Sequence, residues 1–598
     1  MKAFDLPISF LNNKSKLQEH LIKDLELRPP LLDEDELADG EEVEEVEKKG
    51  EEENDCEEDD KSLCTYNHLF NTPTVYSHKI IPLWSNYYTS DPEYIKDTQK
   101  LLKGTVPESC SNVVKVEDIL YDIRAETGFY SKYNYLDNSW AISKMLNNQP
   151  LFLQVLCMYN ITSPIFSLVL PIFFLILPFF IIKIQGYSIT LSKYIEVLTI
   201  VCKRHQLGKL FALGDASWKQ RIYILISIGF YIFQTYQNVI SCTTFYNHSK
   251  IIHKHLLETK TFISSSVDSM NSLEKSCSGL NSYKGFIDNM KSHKTTLEAF
   301  QTSLVQINEE DFILKRTFSM GHIMQCFNKL YNDKSIIESI DYTLYLQAYF
   351  ENLKDIQGHI KDKKMTFCSV SNKSSKFKNA YFPSSRKNIV KNSYKLDKNI
   401  LITGPNAAGK TTILKTTLLN LLISQQIGCG FYSSAKICPY DVIHSYLNIP
   451  DTSGRDSLFQ AEARRCVNIL KDVQTTDEDP SSKKALRHFC VFDELYSGTN
   501  PYEAIGAAIA FLKYLKKYKN MSFMITTHFL EVCKRLDNHK DILNCNMDVN
   551  VANNDFTYTY KMEKGISKIK GAVKVLKDLD YPEEIINETK EIIETLNI

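Results

Sequence analysis

The hydrophobic and polar positions divide this chain into stretches of very different kind. From Met145 to Ile182 there is no Asp, Glu, Lys or Arg. Within that stretch, Ile165–Ile182 reads IFSLVLPIFFLILPFFII, with one serine and no charge. Such a run reaches the length of a bilayer-spanning helix. Pro164, Pro171 and Pro178 fall seven apart and so near one helix face; three prolines would break a soluble helix but are better tolerated in lipid. Lys183 follows at once, as an interfacial anchor would. The expectation is membrane insertion, with a buried core element as the alternative. A second apolar run, Ile222–Phe233, ends where Gln234, Gln237 and Asn238 intrude. Alone it reads as a core helix or a re-entrant segment, and together with the first as the return arm of a hairpin. The connecting segment Gln185–Arg221 carries six basic residues and two acids, which the positive-inside rule would keep cytosolic, whereas a hairpin would place it on the far side. The topology stays open.

Elsewhere the periodicity is that of soluble structure. A helix is expected near Val116–Ala125. Residues 246–364 are charged, nearly free of Pro and Gly, and apolar at i, i+3, i+4 spacing from Phe312 to Asp355, which predicts long amphipathic helices forming a lever. Asn399–Thr403 is a short β-type run followed by a glycine-bearing loop and a helical run to about Ser424. His488–Asp493 is an apolar strand ending in two acids. The organisation expected is 1–64 a disordered acidic tail, 65–150 a mixed region without a nameable motif, 151–245 hydrophobic candidate membrane helices, 246–364 the lever and 365–598 an ATPase domain.

Charge adds one asymmetry. The net charge of −2 over 598 residues conceals 18 acids and two lysines between Asp33 and Asp60, a local −16 that leaves +14 elsewhere. A segment so charged cannot bury apolar surface and is expected to be solvated, as a solubilising or self-masking tail or a partner-binding one. Fifteen cysteines without a CxxC pair read as reduced thiols of a cytosolic protein, neither a disulfide framework nor a zinc site. Met1–Lys14 lacks the apolar core of a secretory signal.

The chemistry lies in the C-terminal third. Gly404-Pro405-Asn406-Ala407-Ala408-Gly409-Lys410-Thr411-Thr412 is a G-x-x-x-x-G-K-[ST] loop between a strand and a helix, the form of a phosphate-binding P-loop. Backbone N–H groups of such a loop point inward at phosphates, and the helix N-terminus adds positive potential. Lys410 is expected to neutralise the β- and γ-phosphates of ATP, and the Thr411 hydroxyl to ligate Mg2+. With 82 residues between it and Lys410, Asp493 is expected to hold the magnesium through its water shell, and Glu494 to polarise the attacking water. The expected fold there is an α/β P-loop ATPase.

These residues resemble the MutS family of DNA mismatch repair and recombination ATPases. Gly404–Thr412 matches that family's GPNxxGKST form. Asp493-Glu-Leu-Tyr-Ser-Gly-Thr-Asn-Pro-Tyr-Glu503 resembles its DELGRGTSxxDG segment. Ser457-Leu-Phe-Gln-Ala-Glu462 is similar to STFxxE, Thr526-Thr-His-Phe529 to ATHF/Y, and Gly565 through Glu583 to the family's closing pattern. The resemblance implies an ABC-like ATPase of MutS type, with a composite site. Ser457 would be presented in trans by a second subunit, His528 would sense the γ-phosphate or the water, and the working unit would be a homo- or heterodimer acting on DNA. Two departures stand beside it. The family's Phe-x-Glu mismatch reader occurs here only at Phe492–Glu494 and Phe529–Glu531, inside the ATPase, and the acidic run would repel DNA phosphates. The apolar segments are also foreign to the well-known mismatch repair proteins. The resemblance therefore leaves two functions: an intracellular DNA-associated clamp, or a membrane-anchored ATPase without mismatch recognition, its ATPase on the cytosolic side. An ABC transporter half would need about six spans and an LSGGQ signature, and an SMC head a long coiled coil between Lys410 and Asp493; the sequence has neither.

Overall fold

The protein is described here by a computed structural model covering residues 4–28, 64–110, 112–124, 141–186, 190–204, 217–308, 313–383, 389–447, 449, 457–477, 485–537, 539–552, 555–567 and 572–595. The acidic run lies outside these residues. The chain divides into two compact units, one made of residues 1–109, 269–292 and 344–598, the other of 110–268 and 293–343.

The first unit begins where a disordered tail was expected. Residues 4–28 are folded: a 3-10 turn at Pro7–Phe10, strand β1 (Lys14–Lys16) and helix α1 (Glu19–Asp24). Leu6, Ile8, Leu21, Ile22, Leu25 and Leu27 are buried. The dense run of acids begins only at Asp33, and the apolar residues before it recur often enough to dock. Thr65 then returns to this segment, its N–H donating to the Glu26 carbonyl at 2.7 Å and its hydroxyl to that of Leu25 at 2.5 Å. The acidic run is thus bracketed by two folded stretches. Helix α2 (Val75–Trp84), strand β2 (Tyr87–Thr89), antiparallel to β1, and helix α3 (Pro92–Lys103) complete the N-terminal part.

The second unit is helical. It holds α4 (Val113–Arg124), α5 (Ala141–Asn147), α6 (Pro150–Ile184), α7 (Leu191–Arg204), most of α8 (Trp218–Ser276), part of α9 (Lys284–Leu304), α10 (Ile313–Asn332) and the first part of α11 (Lys334–Lys361). The expected run of charged amphipathic helices is present. The apolar run forms the 35-residue α6, and Ile222–Phe233 lies within the 59-residue α8. Helices α6 and α10 meet closely at Gly321, whose N–H donates to Gln154 Oε1 at 2.7 Å; an added Cβ would stand 2.2 Å from the Pro150 carbonyl. At α4, Arg124 pairs with Asp341 of α11 at 2.7 Å.

In the first unit the chain continues through β3 (Thr366–Val370), β4 (Ser375–Ala380), β5 (Asn392–Leu396), β6 (Asn399–Thr403), α12 (Lys410–Ile427), β7 (Cys429–Gly430), β8 (Ser434–Ile437), β9 (Val442–Tyr446), α13 (Leu458–Asp477), β10 (His488–Asp493), α14 (Pro501–Leu515), β11 (Met521–Thr526), α15 (Leu530–Leu536), β12 (Ile542–Ala552), β13 (Asp555–Lys564), α16 (Ala572–Asp578) and α17 (Glu583–Thr595). Two sheets result. The larger has the order β13-β12-β6-β11-β10-β9, parallel except for β13, and the smaller β5-β4-β8-β3-β7. Strands buried on both faces read as continuous apolar runs, as Asn399–Thr403, His488–Asp493 and Met521–Thr526 do.

Helix α12 accounts for the reach of this unit into the N-terminal region. Nearly every residue of it is buried, including Gln425 and Gln426. Buried amides must find partners. Gln425 Nε2 donates to the carbonyls of Thr89 and Tyr440 at 3.0 and 2.8 Å, and Gln426 Nε2 to those of Trp84 and Tyr87 at 2.6 and 3.0 Å. Residues 64–109 therefore wrap the P-loop helix and share its unit, a boundary the sequence reading placed elsewhere. The described cysteines are free thiols, most of them buried.

Candidate nucleotide site

The parallel register sets three strand ends side by side. Ile402 of β6 is level with Thr526 of β11, and Thr526 with Asp493 of β10, so the loops that follow leave the same edge of the sheet. Ligand sites of open α/β sheets form at this edge. Here β6 delivers the glycine loop, β10 the Asp493-Glu494 pair and β11 the Thr527-His528 turn.

The loop needs unusual backbone. Ala407 has φ of 60° and Gly409 φ of 91°. A Cβ at Gly409 would also stand 3.3 Å from the ring of Tyr560, so glycine suits both its conformation and its neighbour. Lys410, on the first turn of α12, folds back so that Nζ donates to the carbonyls of Gly404 and Pro405 at 3.0 and 3.2 Å. It also lies 3.6 Å from Glu494 Oε1 and 3.3 Å from His528 Nε2. His528 Nε2 is 2.5 Å from the same Glu494 oxygen. One ring nitrogen carries one hydrogen, so if Nε2–H donates to Glu494 it has no lone pair left for Lys410. The three side chains form one coupled charge cluster. Hydrogen bonding from His528 holds the Glu494 carboxyl below its ordinary range, against the opposing effect of burial. Burial lowers the Lys410 ammonium, and the two carboxylates counter it. Glu494 itself sits at φ of 51°, its N–H bonded to the Thr526 carbonyl and hydroxyl at 3.2 and 3.1 Å. Such a backbone persists only where its surroundings fix it.

Asp493 accepts hydrogen bonds from the hydroxyls of Thr411, at 2.6 Å, and Thr526. The two groups expected to hold magnesium therefore already adjoin. Hard oxygen donors with few protein ligands suit Mg2+, which keeps waters and takes other oxygens from phosphate. Among the described residues no cluster of three or more His, Cys, Asp or Glu could hold a metal, so any ion here would be shared with substrate.

A cavity of 760 Å³ opens over this cluster. Asn406, Ala407, Gly409, Lys410, Thr411 and Thr412 line it together with Glu494. Gly404 and Pro405 contribute their carbonyls to Lys410, and Ala408 is buried. Its remaining wall was not visible in the sequence: Phe382, Ile389, Val390 and Met547 give an apolar side, and Tyr560 stands over the loop. Asn392 fixes Tyr560 in place, donating to its carbonyl at 3.0 Å and accepting from the Met562 N–H at 2.9 Å. These residues are far apart in sequence and of ordinary type, so no local signal marks them.

Ser457 is not among the lining residues. It caps α13: its Oγ accepts from the Gln460 N–H at 3.3 Å, and its own N–H donates to Gln460 Oε1 at 3.0 Å, a reciprocal capping box. Glu462, on the next turn, is buried and accepts from Ser497 N, Ser497 Oγ and Gly498 N at 3.1, 2.9 and 3.2 Å. It thereby holds the loop that follows Glu494. Gly498 fits because a Cβ there would meet Leu458 Cγ at 2.7 Å and the Phe459 nitrogen at 2.8 Å.

Comparison with known proteins agrees with this geometry. Residues 400–597 match the family described as MutS domain V. An endonuclease MutS2 of Lactococcus lactis subsp. cremoris (strain MG1363) is 30% identical over 206 residues, covering 34% of this chain and 25% of that protein. A DNA mismatch repair protein MutS of Desulfatibacillum aliphaticivorans is 27% identical over 213 residues, covering 35% and 22%. The chain spans about a quarter of the length of the curated relatives it matches. The likeness to the MutS family is carried by this C-terminal third, which matches MutS domain V.

Proposed function

We propose that the protein is an ATP-dependent, DNA-associated switch of the mismatch repair or recombination kind, which binds ATP with Mg2+ and hydrolyses the γ-phosphate at the site above. The observation that carries this reading is the meeting of Lys410, Thr411, Asp493, Glu494 and His528 within hydrogen-bonding or ion-pair distance at one sheet edge. The loop amides and Lys410 would bind the phosphates, and Thr411 with Asp493 would hold the ion, which would supply charge neutralisation to the transferred group. Glu494 orients and polarises the water. His528, already on Glu494, reports whether the γ-phosphate is present. Phosphate entry must part Lys410 from Glu494, so binding and arming of the water are one event. The apolar wall of Phe382 with Tyr560 would receive the base.

Dimerisation is part of the proposal. Ser457 is exposed and away from its own cavity, which fits presentation to a second subunit's nucleotide. DNA enters from the relatives' printed roles and from the +14 charge outside the acidic run. The test is phosphate release by the full chain with and without homoduplex, mismatched and branched DNA. Absence of turnover under all conditions, with nucleotide bound, would point to a binding switch instead.

A further inference from the structure

Two helices of the second unit are apolar on their exposed sides as well as on their buried ones. On α8, the less exposed positions repeat every three and four residues from Ile224 and Ile228 through Tyr231, Thr235 and Cys242 to Phe245 and Ser249, and Tyr231 and Cys242 reach α6. Such a seam is apolar in a water-soluble pair. Here Tyr231, Thr235, Cys242 and Ser249 interrupt an apolar seam of Ile224, Ile228 and Phe245, while Phe166, Leu170 and Phe173 of α6 and Phe230, Phe233 and Ile240 of α8 are exposed. At 100° per residue these and their apolar neighbours cover more than half of each helix's circumference. Only 11% of Pro150–Leu170 is buried, whereas the core helix of a soluble protein is mostly buried.

Two of the carbonyls that prolines release in α6 are satisfied in the way a medium without water demands. A proline leaves the carbonyl four residues before it without its helical donor. Pro164 frees that of Asn160, and Ser163 Oγ donates to it at 3.2 Å. Pro171 frees that of Ser167, and the Tyr231 hydroxyl reaches across from α8 to it at 2.9 Å. Cys242 Sγ likewise reaches the Ile161 carbonyl at 3.2 Å. Thr162 and Thr235 turn their hydroxyls onto their own helices, to Met158 and Tyr231 carbonyls at 2.7 and 3.0 Å. Charge is absent from Pro150 to Ile182 and from Ile222 to Ser249. At about 1.5 Å per residue each stretch is longer than the roughly 30 Å of a hydrocarbon layer, although α8 carries Gln234, Gln237 and Asn238 midway and only Pro150–Leu170, among the described residues, is apolar enough by composition to cross one. Lys183, Lys219 and Arg221 gather at the end where the hairpin turns, suited to anionic headgroups.

We infer that α6 and α8 form a hairpin embedded in a lipid bilayer, so that the nucleotide site works from a membrane. A second copy of the chain is the competing cover, but one partner surface would cover one side of a hairpin that is apolar over a wide arc.

The test uses the full chain and a Leu170→Glu, Phe173→Glu, Phe230→Glu variant; all three side chains are exposed, so the substitutions remove little packing. The wild type should stay with host membranes through high salt and alkaline carbonate, and float with vesicles of phosphatidylcholine and phosphatidylglycerol. The variant should lose about tenfold of the floated fraction, while retaining wild-type affinity for a fluorescent ATP analogue as its measure of folding. Phe173→Leu with Phe230→Leu should float as the wild type does. A wild-type chain that is soluble and monodisperse without detergent overturns the inference; a soluble dimer that the glutamates split assigns the face to a second copy. Nucleotide binding is read separately, so failure of the ATPase reading would leave the flotation result standing.

Discussion

Glu494→Gln separates binding from turnover. The substitution keeps the side chain's shape and removes the charge that touches His528 at 2.5 Å and faces Lys410 at 3.6 Å. A positioned general base contributes roughly 10²- to 10⁴-fold, which at 1.36 kcal/mol per decade is about 3–5 kcal/mol of barrier. Phosphate release at saturating ATP and Mg2+ should fall by that factor. Binding should move the other way. The γ-phosphate must approach Lys410 past a carboxylate about 5 Å away, a repulsion near 1 kcal/mol at water-like screening and near 3 kcal/mol at an effective dielectric of about 20. Because Glu494 is partly exposed, the lower figure applies, and the affinity of a fluorescent ATP analogue should rise about fivefold. Turnover within tenfold of wild type would refute the role of Glu494. Loss of binding would show instead that the Lys410–Glu494–His528 cluster is needed to hold the loop.

Lys410→Ala should abolish nucleotide binding, since no other described side chain of the loop carries positive charge, and equilibrium titration with the same analogue checks it. Mixing inactive Lys410→Ala and Ser457→Ala chains should restore partial turnover if Ser457 acts in trans; no recovery in a proven heterodimer refutes it. Binding to a G·T mismatch should exceed binding to homoduplex by about 1 kcal/mol or less, below the roughly 1–3 kcal/mol of a good base contact, and deleting residues 33–60 should strengthen binding at low salt. A tenfold mismatch preference would reveal a base-reading element. Burial pushes the Asp24 carboxyl from 3.8 up to about 6. A group with a raised folded value stabilises fully below its unfolded value and loses that contribution as pH rises through the folded one. Urea midpoints should therefore fall between pH 4 and pH 7 by the equivalent of about 2 kcal/mol, and Asp24→Asn should remove that part of the dependence.

The sequence by itself determined the elements that carry local signals. The strand Asn399–Thr403, the glycine loop and the helix after it, and the strand ending at Asp493 stand where the apolar runs and the G-x-x-x-x-G-K-T spacing put them, because a P-loop's constraints are local: backbone that must turn and side chains that must reach the same phosphates. The lever helices were legible from their period, and α6 from a charge-free run too long to miss. Ser457 and His528 came only with the family pattern. Tertiary structure alone decided what depends on partners distant in the chain. Residues 4–28 read as part of a tail because the acids after them dominate the composition, yet their leucines and isoleucines find a core. Residues 64–109 join the unit of the two C-terminal sheets because the buried amides of Gln425 and Gln426 must be satisfied by Thr89, Tyr440, Trp84 and Tyr87. Tyr560 and Asn392 become the wall of the cavity through strand pairing, and Glu462 becomes the clamp on Ser497 and Gly498 through one loop's approach to another. The contact between α6 and α8 is of the same kind: Tyr231 has no visible reason to be where it is until Pro171, 60 residues earlier, releases a carbonyl that its hydroxyl reaches.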